Sequence, residues 1–227
     1  QDCNIDPEKY VENYSKHHDW NSNKIFRDKF VTGKKKLAKA ASSYLFSDNS
    51  NTKTHYSYYG RNKTKVLFKT ISYRLKYRMR EYFMKRNLKT SVKTESPFIY
   101  YPLTQEIERA LFLGAPFYLD QFTLIKNVAK SLPIGYKLVV KDHPQMRHRG
   151  WRSINEMKKI MDVPCVELVH PLSNSVELIK KSSLVFTING STSIEAAIYQ
   201  KPSIILEDTG QFELPSMHKV NSLKELP

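Results

Sequence analysis

From residue 96 onward the sequence keeps one rhythm: a short apolar run, a helical stretch, then another short apolar run. The runs are PFIYYPL, YKLVVKD, CVELV, LVFTI and SIILE. Between them lie DQFTLIKNVAKSL (120–132), WRSINEMKKIMD, SNSVELIKKS and STSIEAAIYQ. Connections this short between successive strands fit right-handed β-α-β crossovers, so the strands run parallel. The runs are apolar throughout rather than alternating, which suits a sheet covered by helices on both faces. Residues 96–227 are therefore expected to form a doubly wound α/β domain. Asp120 stands at the head of one predicted helix. Ser173 or Asn174 caps another, with Glu177 spaced for a capping box.

Residues 1–95 are of another kind. They hold 22 Lys/Arg against 9 Asp/Glu, a net +13, whereas residues 96–227 hold 15 against 13, a net +2. A boundary near 96 follows, with a basic, mainly helical linker or domain remnant before it. The stretch NKIFRDKFVTGKKKLAKAASSYLF has helical spacing interrupted at Gly33, and 47–64 is polar and turn-rich. KVLFKTISYRLKYRMREYFMKRNLK repeats apolar residues at Leu67, Ile71, Leu75, Met79, Tyr82 and Phe83, as a long basic amphipathic helix does. No apolar run approaches the roughly 18 residues of a membrane span. The first ten residues are too polar for a secretory signal. The chain begins without Met and stops just after VNSLKELP, so it reads as a piece of a longer protein. Cys3 and Cys165 form neither a disulfide framework nor a metal spacing, and a reducing compartment is the simpler expectation. Cys165, inside VPCVELV, is expected to be a small buried residue.

In doubly wound sheets, ligands bind outside the carboxyl ends of the strands. Four of the five expected strands end there in polar groups. The second runs into Lys141, Asp142, His143 and Pro144; the proline ends the ladder and holds His143 extended. The fourth leaves through Asn189-Gly190-Ser191-Thr192-Ser193 into a helix, where amides, hydroxyls and the helix dipole favour a phosphate. The plainer reading of each is a polar loop and an ordinary helix cap. Glu195, one turn into that helix, is spaced for a ribose hydroxyl or for the dipole. The first strand ends in Tyr101, Thr104, Gln105, Glu106 and Glu108, whose carboxylates are acid/base candidates. The fifth ends in Glu207 and residues 208–212. A P-loop lysine and a GxGxxG are both missing.

YYPLTQEIE, FLGAPFYLDQFTLIKNVAKSLPIGYKLVVKDHP and VELVHPLSNSVELIKKSSLVFTINGSTSIEAAIYQKPSIILE resemble, in that order, the C-terminal half of capsular polysaccharide biosynthesis proteins. These are similar to Kdo-type glycosyltransferases of capsule assembly. The resemblance covers about residues 97–220. It implies the Rossmann-like C-terminal domain of a GT-B enzyme, which holds a nucleotide sugar, with a CMP-sugar as the expected donor. Residue by residue, it implies that His143 and Pro144 contact the nucleotide, and that Ser191, Thr192 and Ser193 bind phosphate. Glu195 would contact ribose or base. Lys141 and Gly190 complete the expected donor site, and Glu108 and His143 are the catalytic candidates. The family pattern near the first strand, Tyr-Pro-Leu-His-x-x-Pro-Glu, is broken by Thr104 and Ile107 and kept at Glu108. A first Rossmann domain is not recognisable in residues 1–95.

The expected reaction is transfer of a sugar, Kdo-like and from a CMP-sugar, to a glycan or glycolipid acceptor. No Asp-x-Asp pair occurs in residues 96–227, so no metal is expected. No cofactor is expected either, the nucleotide sugar being a substrate. Residues 65–89 could meet an anionic membrane surface, which would place the protein in the cytoplasm or peripherally on the inner face of the membrane. A nucleic-acid-binding protein using the basic helices is the alternative. It fits the charge and leaves the polar strand ends unexplained.

Overall fold

The computed structural model describes residues 33–46, 62–92, 96–104, 114–189, 191–207 and 215–220. Among the described residues two helices precede the sheet in sequence, α1 (Lys34–Phe46) and α2 (Lys63–Asn87). Helix α2 starts where Asn62 Oδ1 accepts the amide of Thr64 at 3.0 Å, and ends with Lys85 and Arg86 against the negative end of its dipole. It holds neither Gly nor Pro, which accounts for its uninterrupted 25 residues. The chain divides into two compact units, with residues 18–79 in one and residues 80–227 in the other. The second unit thus begins within α2, earlier than the change in composition at 96, because Met84, Leu88 and Val92 are buried.

The second unit is a six-stranded parallel sheet. Its strands are β1 (Phe98–Pro102), β2 (Lys137–Lys141), β3 (Val166–Val169), β4 (Leu184–Thr187), β5 (Ser203–Ile205) and β6 (Met217–Lys219), in the order β3-β2-β1-β4-β5-β6. This is the dinucleotide-fold order, and it reverses direction between β1 and β4. Among the described residues four α-helices lie between the strands: α3 (Gln121–Lys130), α4 (Ile154–Met161), α5 (Ser175–Lys181) and α6 (Thr192–Ile198). On one face Phe98, Tyr100, Val139 and Val185 pack against Leu178 and Ile179 of α5 and Ala196 of α6. Alternation puts Tyr101, Leu138, Val140 and Phe186 on the other face. There the Tyr101 and Phe186 rings meet edge to face at 5.2 Å.

The structure departs from the sequence reading at several points. Strand β6 was not expected: it shows one buried residue, Met217, followed by two exposed ones. Cys165 is exposed rather than buried, because β3 starts one residue later and Cys165 occupies a left-handed turn (φ 63°). Helix α4 starts at Ile154, not Trp151, because Ser153 and Glu156 form a capping box. Asn174 caps α5, accepting from Val176 and Glu177, while the Glu177 carboxylate pairs with Lys181 at 2.7 Å instead of closing a box. Tyr101 belongs to the core, not to the rim.

The segment after β2 is fixed from two sides. Asp142 Oδ2 pairs with Arg152 Nε at 3.3 Å, both side chains 7% exposed. Arg80 of α2 donates to the carbonyls of Gly150 and Trp151 at 2.7 and 2.9 Å. Between them Trp151 is held at φ 62°, unusual for so bulky a residue, with its ring buried. Asp142→Ala leaves the Arg152 charge buried without that partner and should lower unfolding free energy by about 3 kcal/mol. The urea midpoint measures this, and an Asp142→Ala/Arg152→Met double variant should recover much of the loss.

Candidate functional site

Lys141 is the last residue of β2. It lies two positions beyond Val139, which is in register with Tyr100, so its side chain emerges on the face covered by α5 and α6. The residue is only 4% exposed. Its ammonium hydrogen-bonds the Ser175 hydroxyl, and Ser175 is also bonded by the Tyr100 side chain. Ser175 is the first residue of α5, and Asn174 takes the capping role there, which leaves the serine hydroxyl to the lysine. Burial pulls the Lys141 ammonium down to about 8, and the negative charge of Glu195 on α6 partly opposes that. The same burial and the same Glu195 push the Tyr100 hydroxyl well above its ordinary value. Tyr100, Lys141, Ser175 and Glu195 thus form one polar cluster at the carboxyl edge, drawn from β1, β2, α5 and α6.

His143 lies two residues beyond Lys141 and is half-buried. Its amide donates to Asp142 Oδ1 at 3.0 Å, and its Nδ1 accepts the amide of Gln145 at 3.2 Å. An accepting Nδ1 puts the proton of the neutral ring on Nε2. Burial and the Lys141 charge hold the ring down near 4, so at neutral pH His143 is an uncharged donor through Nε2. Pro144 opens a 3-10 turn, Pro144–Arg149.

Other groups mark the same rim. Ser191 heads α6, and its side chain makes no capping bond to the first turn. Thr192 is half-buried and Ser193 fully buried. A Cβ placed on Gly114, in the segment after β1, would lie 3.8 Å from Asn189 Nδ2, in the segment after β4. The two segments therefore meet where the strand order reverses. Glu207, beyond β5, raises the Tyr118 hydroxyl after burial has done so, which brings a third loop to this side. Glu108 and Gly190 lie outside the described residues, as do Gln105, Glu106 and residues 208–212.

Two residues that hold this edge were missed in the sequence. Ser175 looked like part of a helix start, and its role comes from facing Lys141. Gln121 is 3% exposed and bonds Thr104 twice, its Oε1 accepting the Thr104 amide and its Nε2 donating to the Thr104 carbonyl, each at 2.9 Å. A groove lies beside this clamp, on the opposite face from Lys141, lined by Leu103, Asp120, Gln121, Arg152, Glu156 and Lys159.

A lysine held near 8 in the folded chain and at 10.5 when unfolded penalises folding below pH 8, and the penalty fades as the pH rises toward 10.5. The shift corresponds to about 3 kcal/mol. Above pH 10 the raised Tyr100 and Tyr101 hydroxyls act in the opposite sense, since the unfolded chain loses those protons first. The urea midpoint should therefore climb between pH 8 and 10. In Lys141→Met it should start higher and stay flat across that window.

The model of the family described as capsule polysaccharide biosynthesis protein matches residues 5–215, so the likeness takes in the basic segment as well as the sheet. Among solved structures, the chain is similar to two from Thermosulfurimonas dismutans KpsC. One is its β-Kdo 2,4 transferase, at 11% identity and TM-score 0.45, over 60% of this chain and 41% of that one. The other is its β-Kdo 2,7 transferase, at 19% identity and TM-score 0.42, over 69% and 52%. It is also similar to E. coli ADP-heptose LPS heptosyltransferase II, at 15% identity and TM-score 0.42, over 57% and 40%. The chain spans about half or less of each of these structures. No curated protein matches it. The match across nearly all of the sequence makes this chain a member of the capsule polysaccharide biosynthesis protein family.

Proposed function

We propose that the sheet unit binds the nucleotide-sugar donor of a GT-B glycosyltransferase of capsule or surface polysaccharide synthesis. One observation carries this reading: a buried ammonium, Lys141, held at the strand edge by Ser175 beside Glu195 of α6. A charge desolvated at a ligand edge is expensive unless an anion completes it, and a donor's phosphate supplies that anion.

In the transfer, an acceptor hydroxyl attacks the anomeric carbon as the bond from that carbon to the phosphate oxygen breaks. The electron pair leaves with the phosphate, and the hydroxyl proton passes to a carboxylate, for which Glu108 is the candidate. Lys141, the His143 Nε2–H and the groups at Ser191 and Thr192 would stabilise the growing negative charge of the leaving group. Pro144, Gly190 and Ser193 shape the surrounding loops in this reading, and Glu195 accepts from the ribose. The donor is a CMP-sugar of Kdo type, and the acceptor a glycan or glycolipid. The charge stabilisation comes from the protein without a metal.

Thermal unfolding with CMP, UDP and GDP tests the base. CMP should stabilise most, by about 2.7 kcal/mol at a concentration one hundred times its Kd. Equal shifts with all three, or none, would count against the reading. His143→Ala and Thr192→Ala should each weaken CMP binding about tenfold by calorimetry, the loss of one good hydrogen bond to a charged group. Binding should weaken above pH 8 as Lys141 loses its proton. EDTA should leave transfer from CMP-Kdo unchanged.

A further inference from the structure

Helix α2 carries an exposed apolar stripe. Phe68, Ile71, Leu75, Met79 and Tyr82 are 73%, 49%, 59%, 62% and 66% exposed. At 3.6 residues per turn they fall within a sector of about 80° and run for about 21 Å along the helix. By the same spacing, Lys65, Lys69 and Lys76 flank the stripe on one side, and Arg74, Arg78 and Lys85 on the other. The face that packs is a different one. It buries Met84 at 1% and points Arg80 at the carbonyls of Gly150 and Trp151.

We propose that α2 lies flat on an anionic membrane surface, with this stripe sunk among the lipid chains and the two rows of cations on the headgroups. Charge complementarity selects this occupant. The helix has nine Lys/Arg and one Glu, in a segment of net +13. Long basic side chains at the borders of an apolar face can lay their stems on hydrocarbon and keep their charges in the interface. A nucleic acid would want cations and stacking rings at the centre of the contact, whereas Ile71, Leu75 and Met79 stand there. The helix would lie on the bilayer without crossing it, since no helix among the described residues is long and apolar enough to span one. The proposal is independent of the donor site.

The test is flotation of the full chain with vesicles of phosphatidylcholine alone or mixed with phosphatidylglycerol. Binding should need phosphatidylglycerol and should fall, without vanishing, as salt is raised. Leu75→Ser/Met79→Ser changes only exposed side chains. It should cut vesicle binding at least tenfold while leaving the melting temperature and CMP binding as they were. Leu75→Trp should show a blue-shifted emission on the mixed vesicles. The proposal fails if the chain floats equally with both lipids or with neither, or if the double serine variant binds as its parent does. It also fails if the serine pair instead splits a dimer that never floats. Retention on RNA with no flotation assigns the helix to nucleic acid and overturns the proposal as well.

Discussion

A lysine taken out of water at the end of a strand must be answered by its neighbours. Lys141 is almost fully buried, and its charge is disfavoured enough to pull its proton affinity down. The groups that compensate come from two helices remote in sequence, Ser175 of α5 and Glu195 of α6, and Tyr100 of β1 bonds the same serine. They can converge only because β1 lies between β2 and β4 in the sheet, with α5 and α6 covering one face. The strand order therefore decides the chemistry. A different crossover would leave the ammonium either exposed or stranded.

The end of β2 acts on both faces of the sheet. Lys141 turns toward α5 and α6, while the next residue, Asp142, pairs with Arg152 in the interior. His143 follows directly, its amide tied to the Asp142 carboxylate and its ring to Gln145. A structural ion pair thus sets the direction of His143. The left-handed Trp151 and the two bonds from Arg80 close the same loop from its far end. Bonds at both ends of the loop restrict the conformations open to the residues between them.

Much of this was legible in the sequence, and the limits have physical reasons. Strands β1 to β5 are continuous apolar runs, and their parallel arrangement follows from the helices between them. Strand β6 has a single buried side chain, too little to form a pattern. Lys141 and His143 could be singled out because charge at a strand end is conspicuous. Ser175 could not, because a serine at a helix start has a local explanation and its partner is 34 residues away. Tyr101 misled because its hydroxyl reads as polar, whereas the ring packs on Phe186 in the core. The periodicity of α2 showed that it has an apolar face but not which way that face points.

Gln121 imitates a backbone. Its amide accepts from and donates to the same residue, Thr104, as one peptide group does to a neighbour in a ladder. The hydrogen-bonding pattern of β1 is in this way extended past its last paired residue, using a side chain from the first turn of α3. No other residue type can reproduce the arrangement without loss: glutamate keeps the acceptor and gives up the donor, and asparagine is one methylene too short to span the same gap. A carboxylate in this place, as in Gln121→Glu, would face the Thr104 carbonyl, so the integrity of this edge depends on a single side-chain N–H donor.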